Sequence, residues 1–253
     1  MGDATVKDMM ILDGLWDAFH DIHMGNTVET LARRYQITRE DQDRFALHSQ
    51  EKARAAQEAD VFADEIVAVT IAGRKGDTVF DRDEHPRQTT LEKLSSMRPA
   101  FEEDGTITAG NASGINDGAS AVLVASGRRV KELNLTPIAR IASYASFAME
   151  PMNMGLGPVG ASQKALQKAG WSVDDLDVIE VNEAFAAQSL AVQKEMGWDP
   201  DKCNPNGGAI ALGHPLAASG NRIVVTLVHE LKRRGKGKGL ATLCIGGGMG
   251  IAM

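Results

Sequence analysis

Three residues of this chain have the types and settings that acid–base chemistry beside an oxyanion needs: His214, Asn182 and Cys244. His214 lies between Gly213 and Pro215 in NPNGGAIALGHPLAASGN, residues 204–221. Glycines there let the backbone approach a ligand closely before it turns into a helix, a general anion-binding arrangement. Asn182, in VNEAFAAQ, sits where a strand should end and a helix begin. Two readings stand for it: a helix N-cap, or an amide that holds a water or orients a substrate carbonyl. Glu183 beside it could orient such a group. Cys244, in LCIGGGMG, closes an apolar strand. It reads as a small buried hydrophobe, or as a general acid or base beside backbone N–H groups that Gly246, Gly247 and Gly248 free for an oxyanion.

These residues need elements to hold them. From residue 105 onward, strand-like and helix-like segments alternate. Strands are expected at Ala121 to Ala125, Ala139 to Tyr144, Val178 to Val181, Leu240 to Ile245 and Met249 to Met253. Helices are expected at Gly127 to Leu133, Ala161 to Ala169, Ala184 to Met196 and Ala217 to Arg234. Such alternation means an α/β layered domain, which binds ligands at the carboxyl ends of its strands. His214, Asn182 and Cys244 all fall at strand-to-loop exits.

The first 60 residues read as helical. Met9, Leu12, Leu15, Trp16 and Phe19 form an apolar stripe at helical spacing. Asn26 is an expected N-cap after His23-Met24-Gly25, and Thr38 with Asp41 makes a capping-box start. Residues 61–100 look irregular, with short strands near Ile66 to Ile71 and Thr78 to Phe80. Arg74, Lys75, Arg82 and Arg87 make a local basic surface, either a solvated face or a neighbour of an anionic ligand.

Composition sets outer limits. Charged residues are 24% and hydrophobic ones 43%, as in ordinary globular proteins. The net charge, 27 − 34 = −7, argues against nucleic acid. No apolar run is long enough for a bilayer, no secretory signal is evident, and no metal-ligand spacing or Rossmann glycine motif occurs. Two distant cysteines without a C-x-x-C suit a reducing, cytoplasmic compartment.

Three ordered blocks go further: NEAFAAQ at 182–188, NGGAIALGHPLAASG at 206–220 and CIGGGMG at 244–250, extended by HMG at 23–25 and GNASGINDGAS at 110–120. Together they resemble the thiolase family, and within it the biosynthetic acetyl-CoA acetyltransferases. The resemblance implies a layered α/β thiolase-like fold with an inserted, mostly helical loop domain. Residues 1–104 would be that coenzyme A-binding loop domain, 105–136 the end of the N-terminal half, and 137–253 the C-terminal domain. The implied reaction condenses two acetyl-CoA to acetoacetyl-CoA, or reverses this by thiolysis, with no cofactor beyond the coenzyme A thioester itself.

By match, His214 would activate a nucleophilic cysteine and help bind a thioester oxygen, and Asn182 would hold a water there. Cys244 would move the α-proton, and the Gly246 N–H would serve a second oxyanion hole. Matching coenzyme A positions are Leu15, His23, Met24, Phe101, Ala109, Ala112, Ser113 and Phe185. Met24 and Met154 would shape a short acyl pocket, and the basic residues at 74–87, Arg87 included, would suit the coenzyme's phosphates.

The resemblance also implies departures. The nucleophilic cysteine is expected in an N-terminal part outside this chain, leaving the fold incomplete, the isolated chain inactive and apolar sheet edges exposed. A partner supplying that half, and a homo-oligomer, are the expected associations, with tetramerisation in question. A non-catalytic coenzyme A thioester-binding module is the alternative. Leu216-Ala217, Pro205 and Asn221 differ from the family pattern.

Overall fold

A computed structural model of the chain describes residues 1–235 and 237–253. The first segment does not form the expected amphipathic helix. Met10–Leu15 makes one π-helical turn, then β1 (Trp16–Asp17) and β2 (Ile22–His23) pair as a short antiparallel hairpin. Met9, Leu12 and Phe19 of the apolar stripe are exposed. Helical spacing supplies a stripe, but a helix this short persists only when another surface covers it.

Helices α1 (Met24–Arg34) and α2 (Arg39–Glu58) follow. Thr38 and Asp41 form the expected reciprocal capping box on α2. His23, not Asn26, caps α1: its Nδ1 accepts the Gly25 N–H at 3.0 Å. An antiparallel hairpin, β3 (Val69–Ile71) with β4 (Thr78–Phe80), occupies the irregular region, and α3 (Leu91–Ser95) ends it.

Helix α4 (Gly127–Glu132) forms as expected, but the strands expected on either side of it do not. Residues 121–125 and 139–144 make no ladder, and Val122, Leu123, Val124, Ile138, Ile141 and Tyr144 are exposed. Apolar, β-branched residues fit a pleated surface only where a neighbouring strand takes up their N–H and C=O groups. Among the described residues no strand does so here.

The remaining elements build the sheet: β5 (Ala145–Ala148), α5 (Gly157–Ala169), β6 (Val178–Val181), α6 (Ala186–Met196), α7 (Ala209–Leu212), α8 (Ser219–Arg233), β7 (Gly239–Ile245) and β8 (Met249–Ala252). Strand order is β5-β8-β7-β6, with β6 and β7 parallel and the other pairs antiparallel. Residue alternation sends the two faces of β6 into different layers. Ile179 and Val181 join Ala161, Ala165, Leu166 and Val192 under α5 and α6. Val178 joins Ile223 and Leu227 of α8 on the opposite face. Helices on both sides make a layered α/β core, while α1 and α2 pack on α6.

Candidate functional site

The site gathers at the carboxyl ends of the parallel pair β6 and β7, where Val181 is in register with Thr242. The outer edge of β6, met at Ile179 by the backbone of Cys203 and Asn204, is completed at Val181 by one side chain. Asn204 Oδ1 accepts the Val181 N–H at 2.8 Å and its Nδ2 donates to the Val181 carbonyl at 2.9 Å. A primary amide has the same donor–acceptor pair as a peptide, so Asn204 completes the ladder where no strand does.

Asn182, the next residue, is fully buried, and its backbone N–H donates to the Thr242 carbonyl at 3.0 Å. It is not an N-cap: α6 begins four residues later, with Phe185 at the cap position. The amide is therefore available, and its Nδ2 stands 3.3 Å from His214 Nε2. Glu183 turns away from this pair. It is buried and accepts from Ser49 Oγ at 2.7 Å, Asn204 Nδ2 at 2.8 Å and the Ile210 N–H at 3.2 Å. Its carboxyl ties α2, Asn204 and α7 together, holding the scaffold that carries Asn182 and His214.

His214 is fixed from three directions. Its backbone N–H points between the Gly114 carbonyl at 3.2 Å and Asn116 Oδ1 at 3.1 Å. Its Nδ1 lies 2.6 Å from Ser219 Oγ, and its Nε2 faces Asn182. Gly213 makes this approach possible: its φ is +97°, and a Cβ there would lie 2.5 Å from Asn116 Oδ1. Burial, helped by the positive charge of Arg222, depresses the imidazole to about 4, so it is neutral at physiological pH. Asn116 and Ser219 did not stand out in the sequence. Both are polar residues among small ones, and only the packing aims them at His214.

Cys244 leaves β7 at the same end of the sheet, in register with Gly250 of β8. Packing pushes its thiol up to about 11. Gly247 and Gly248, with φ of +77° and +81°, turn the chain back into β8. Cys203 is not part of this site; it bridges to Ile179, and burial pushes its thiol up to about 12.

The expected coenzyme-binding residues fall into a contiguous set and two outliers. Met24, Phe101, Ala112, Phe185 and Cys244 pack around a core that contains Val28, Leu31 and Met154. Phe101 stacks on His23 with ring centres 4.7 Å apart and meets Phe185 edge-on at 5.9 Å. Gly246 lies against the end of Met24, which occupies the space a Cβ would take. Ser113 donates from both its N–H and its Oγ to the Ala184 carbonyl, each at 3.0 Å. Leu15 is half-buried at the entry to the hairpin that carries His23. Ala109 is an outlier, opening on a shallow depression of about 590 Å³ that Ser96, Met97, Arg98 and Pro99 also line. Arg87 is exposed and touches the scaffold through its backbone N–H, which donates to Gln50 Oε1 at 2.8 Å. Of the departures from the family pattern, Leu216 and Ala217 are exposed, and Asn221 donates to Ser120 Oγ at 2.8 Å.

Fold and site together define a layered α/β protein in which Asn182 meets His214 at the carboxyl end of β6, with Cys244 near the same end of the neighbouring parallel strand β7. Comparison with known proteins places it. The thiolase N-terminal domain model matches residues 1–128 and the thiolase C-terminal domain model residues 135–253, so the chain belongs to the thiolase family. It is 61% identical over its whole length to an acetyl-CoA acetyltransferase of Paracoccus denitrificans and 59% identical to one of Cupriavidus necator. Each time it spans 65% of the relative's length.

Among solved structures, it superposes with a TM-score of 0.96 on a Bacillus anthracis acetyl-CoA acetyltransferase. That match is 48% identical and covers 100% of this chain and 64% of the other. A human mitochondrial 3-ketoacyl-CoA thiolase in complex with CoA gives 0.94 at 49% identity, covering 99% of this chain and 62% of that one. The expectation that an N-terminal part lies outside this chain is not borne out, because the thiolase N-terminal domain model matches residues 1–128. Residues 1–128 contain no cysteine, and the chain's two are Cys203 and Cys244.

Proposed function

We propose that the site performs thiolase-type acyl chemistry on coenzyme A thioesters, joining two acetyl-CoA into acetoacetyl-CoA or running the reverse thiolysis. The observation that carries this reading is the 3.3 Å contact between Asn182 Nδ2 and His214 Nε2 at the sheet end that Cys244 also occupies. An amide donor, a neutral imidazole and a thiol at one sheet end suit a reaction that needs a held thioester oxygen and a proton carrier.

Burial holds the Cys244 thiol protonated, which suits it to proton transfer at the α-carbon. As a thiol it protonates the enolate carbon released in thiolysis and is left as a thiolate. In the condensing direction that thiolate takes the α-proton and returns to the thiol, as the C–H bond breaks and the electron pair moves onto the thioester oxygen. Asn182, with the water it holds, serves one oxygen, and His214 joins it once Nε2 has taken up a proton; the Gly246 N–H serves the other. Relatives named acetyl-CoA acetyltransferases and a CoA-bound structural relative support this substrate class.

For the coenzyme, the surface formed by His23, Met24, Phe101, Ala112, Ser113 and Phe185 takes the pantetheine arm, with Leu15 at its edge. Met24 and Met154 limit the acyl group to short chains. Ala109 lies toward the nucleotide end, and Arg87 is a phosphate contact only if the coenzyme extends along α2. Residues 1–104 are the coenzyme-holding unit, 105–136 the link, and 137–253 the unit that carries the chemistry. A homo-oligomer in the cytoplasm completes the reading.

The test is exchange of the acetyl-CoA methyl protons with D₂O, followed by NMR, alongside calorimetric binding of coenzyme A. Exchange by the chain, abolished in Cys244→Ser, supports the enzyme reading. Coenzyme binding without exchange transfers the case to a non-catalytic thioester-binding module. Absence of both overturns the proposal.

A further inference from the structure

Ser219 is the first residue of α8, is fully buried, and has its Oγ 2.6 Å from His214 Nδ1. The same Oγ lies 3.0 Å from the Pro215 carbonyl. The contact geometry directs the single hydroxyl proton to that carbonyl, which can only accept. The Oγ lone pairs then face Nδ1, which must carry a proton to make a bond of that length. At the other end of the ring, Asn182 Nδ2 donates toward Nε2 at 3.3 Å, which requires a lone pair on Nε2. The opposite tautomer would set Nε2–H and the Asn182 N–H head to head. With the Asn182 amide in this orientation, its buried Oδ1 turned away and unpartnered, both ends of the ring favour one form of a neutral imidazole.

We infer that Ser219 is a positioning residue that fixes His214 in its Nδ1–H tautomer and so presents the Nε2 lone pair to the reacting groups. Pro215 shapes the turn that makes this possible. Its carbonyl accepts the Ala218 N–H at 2.8 Å and the Ser219 N–H at 2.9 Å as well as the hydroxyl, so His214 and Ser219 sit on one tight turn five residues apart. The backbone of His214 is pinned separately by Gly114 and Asn116, so the imidazole has its axis set by the loop and its proton set by α8. The outcome is an imidazole that accepts at Nε2, from a thiol or from a water on Asn182. Transfer of a proton to Nε2 yields an imidazolium whose Nδ1–H keeps the same serine acceptor, with no rearrangement. That consequence for turnover rests on the proposed function; the tautomer itself does not.

The test is a long-range ¹H–¹⁵N correlation spectrum of the full chain labelled at histidine, with His214 assigned by comparison with His214→Gln. In the unsubstituted chain, Nε2 is expected to show the shift of an unprotonated nitrogen and Nδ1 that of a protonated one. The Nδ1–H form should outweigh its alternative by roughly fivefold or more, the ratio one net hydrogen bond sustains. Ser219→Ala is expected to give a mixture of tautomers, and Ser219→Thr to restore the single form. A protonated Nε2 in the unsubstituted chain overturns the inference, as does an unchanged His214 signal in a folded Ser219→Ala chain. If Ser219→Ala does not fold, the unsubstituted chain and Ser219→Thr still decide the tautomer. Because the spectrum needs no turnover, a silent exchange assay with the expected tautomer would refute the proposed function and leave the Ser219 assignment standing.

Discussion

Asn182 Nδ2 and His214 Nε2 lie 3.3 Å apart although 32 residues separate them in the chain. One leaves the end of β6 and the other precedes α8, and α8 packs across β6. The contact therefore reports how those two elements dock.

Removing the amide should weaken the oxygen-holding site without unfolding the sheet, because the Asn182 backbone N–H remains bonded to Thr242. Under the proposed function, Asn182→Ala lowers the acetyl-CoA exchange rate by about 10²–10³-fold, the usual effect of losing one preorganised donor. Coenzyme A affinity, measured in parallel, should change little. Equal losses of exchange and binding would mean that Asn182 holds the ligand rather than the developing charge.

Thiol reactivity gives a test that needs no substrate. With its thiol pushed up to about 11 by burial, Cys244 is almost entirely protonated at pH 8. Alkylation at pH 8 should run at least about 10²-fold slower than for a free cysteine near pKa 8.5. The rate should climb about tenfold per pH unit toward pH 11. Peptide mapping after timed iodoacetamide labelling follows Cys244 and Cys203 separately. Rapid labelling of Cys244 at neutral pH would show an activated thiolate instead.

Stability should depend on His214 in a defined window. Its pKa falls from 6.5 to about 4 on folding, so between those values the unfolded chain binds more protons than the folded one. Stability from this group is then complete above pH 6.5 and lost as pH falls toward 4, by on the order of 3 kcal/mol in total. Urea midpoints across pH 4 to 7 should fall more steeply for the unsubstituted chain than for His214→Gln. Parallel curves would show that the imidazole is not buried in its neutral form.

Glu183 should matter for stability more than for chemistry. Its carboxyl receives bonds from Ser49, Asn204 and Ile210, and Glu183→Ala leaves the Ser49 hydroxyl, the Ile210 N–H and one of the two Asn204 Nδ2 protons without an acceptor. A loss of about 3 kcal/mol or more is expected, read from the urea midpoint. Glu183→Gln, which places an N–H among donors, should recover only part of it. A near-neutral Glu183→Ala would show that water replaces the carboxyl, and that the junction of α2 and α7 is softer than its geometry implies.

The sequence by itself carried the family blocks, the α/β class, and the elements whose patterns are local. Thr38–Asp41, Val178–Val181, and the strands and helices after residue 155 other than α7 formed close to where spacing put them. Those features depend on period, capping and turn chemistry within a few residues, so they are legible in one dimension. Asn182 was legible at a strand exit for the same reason; His214, expected at one, lies instead between α7 and α8, and Cys244 is the penultimate residue of β7.

Tertiary structure decided whatever needed a second surface. The stripe at Met9 to Phe19 and the runs at 121–125 and 139–144 had suitable patterns but gained no covering helix or pairing strand, so they adopt other conformations. Asn182 turned from an available cap into an aimed amide because α6 starts at Ala186 and Asn204 completes the strand edge beside it. Asn116 and Ser219 acquired roles only when two loops converged on His214. A hydrogen bond between distant residues is fixed by the docking of their elements, and the sum of many packing contacts that sets this docking is not written at any one position of the chain.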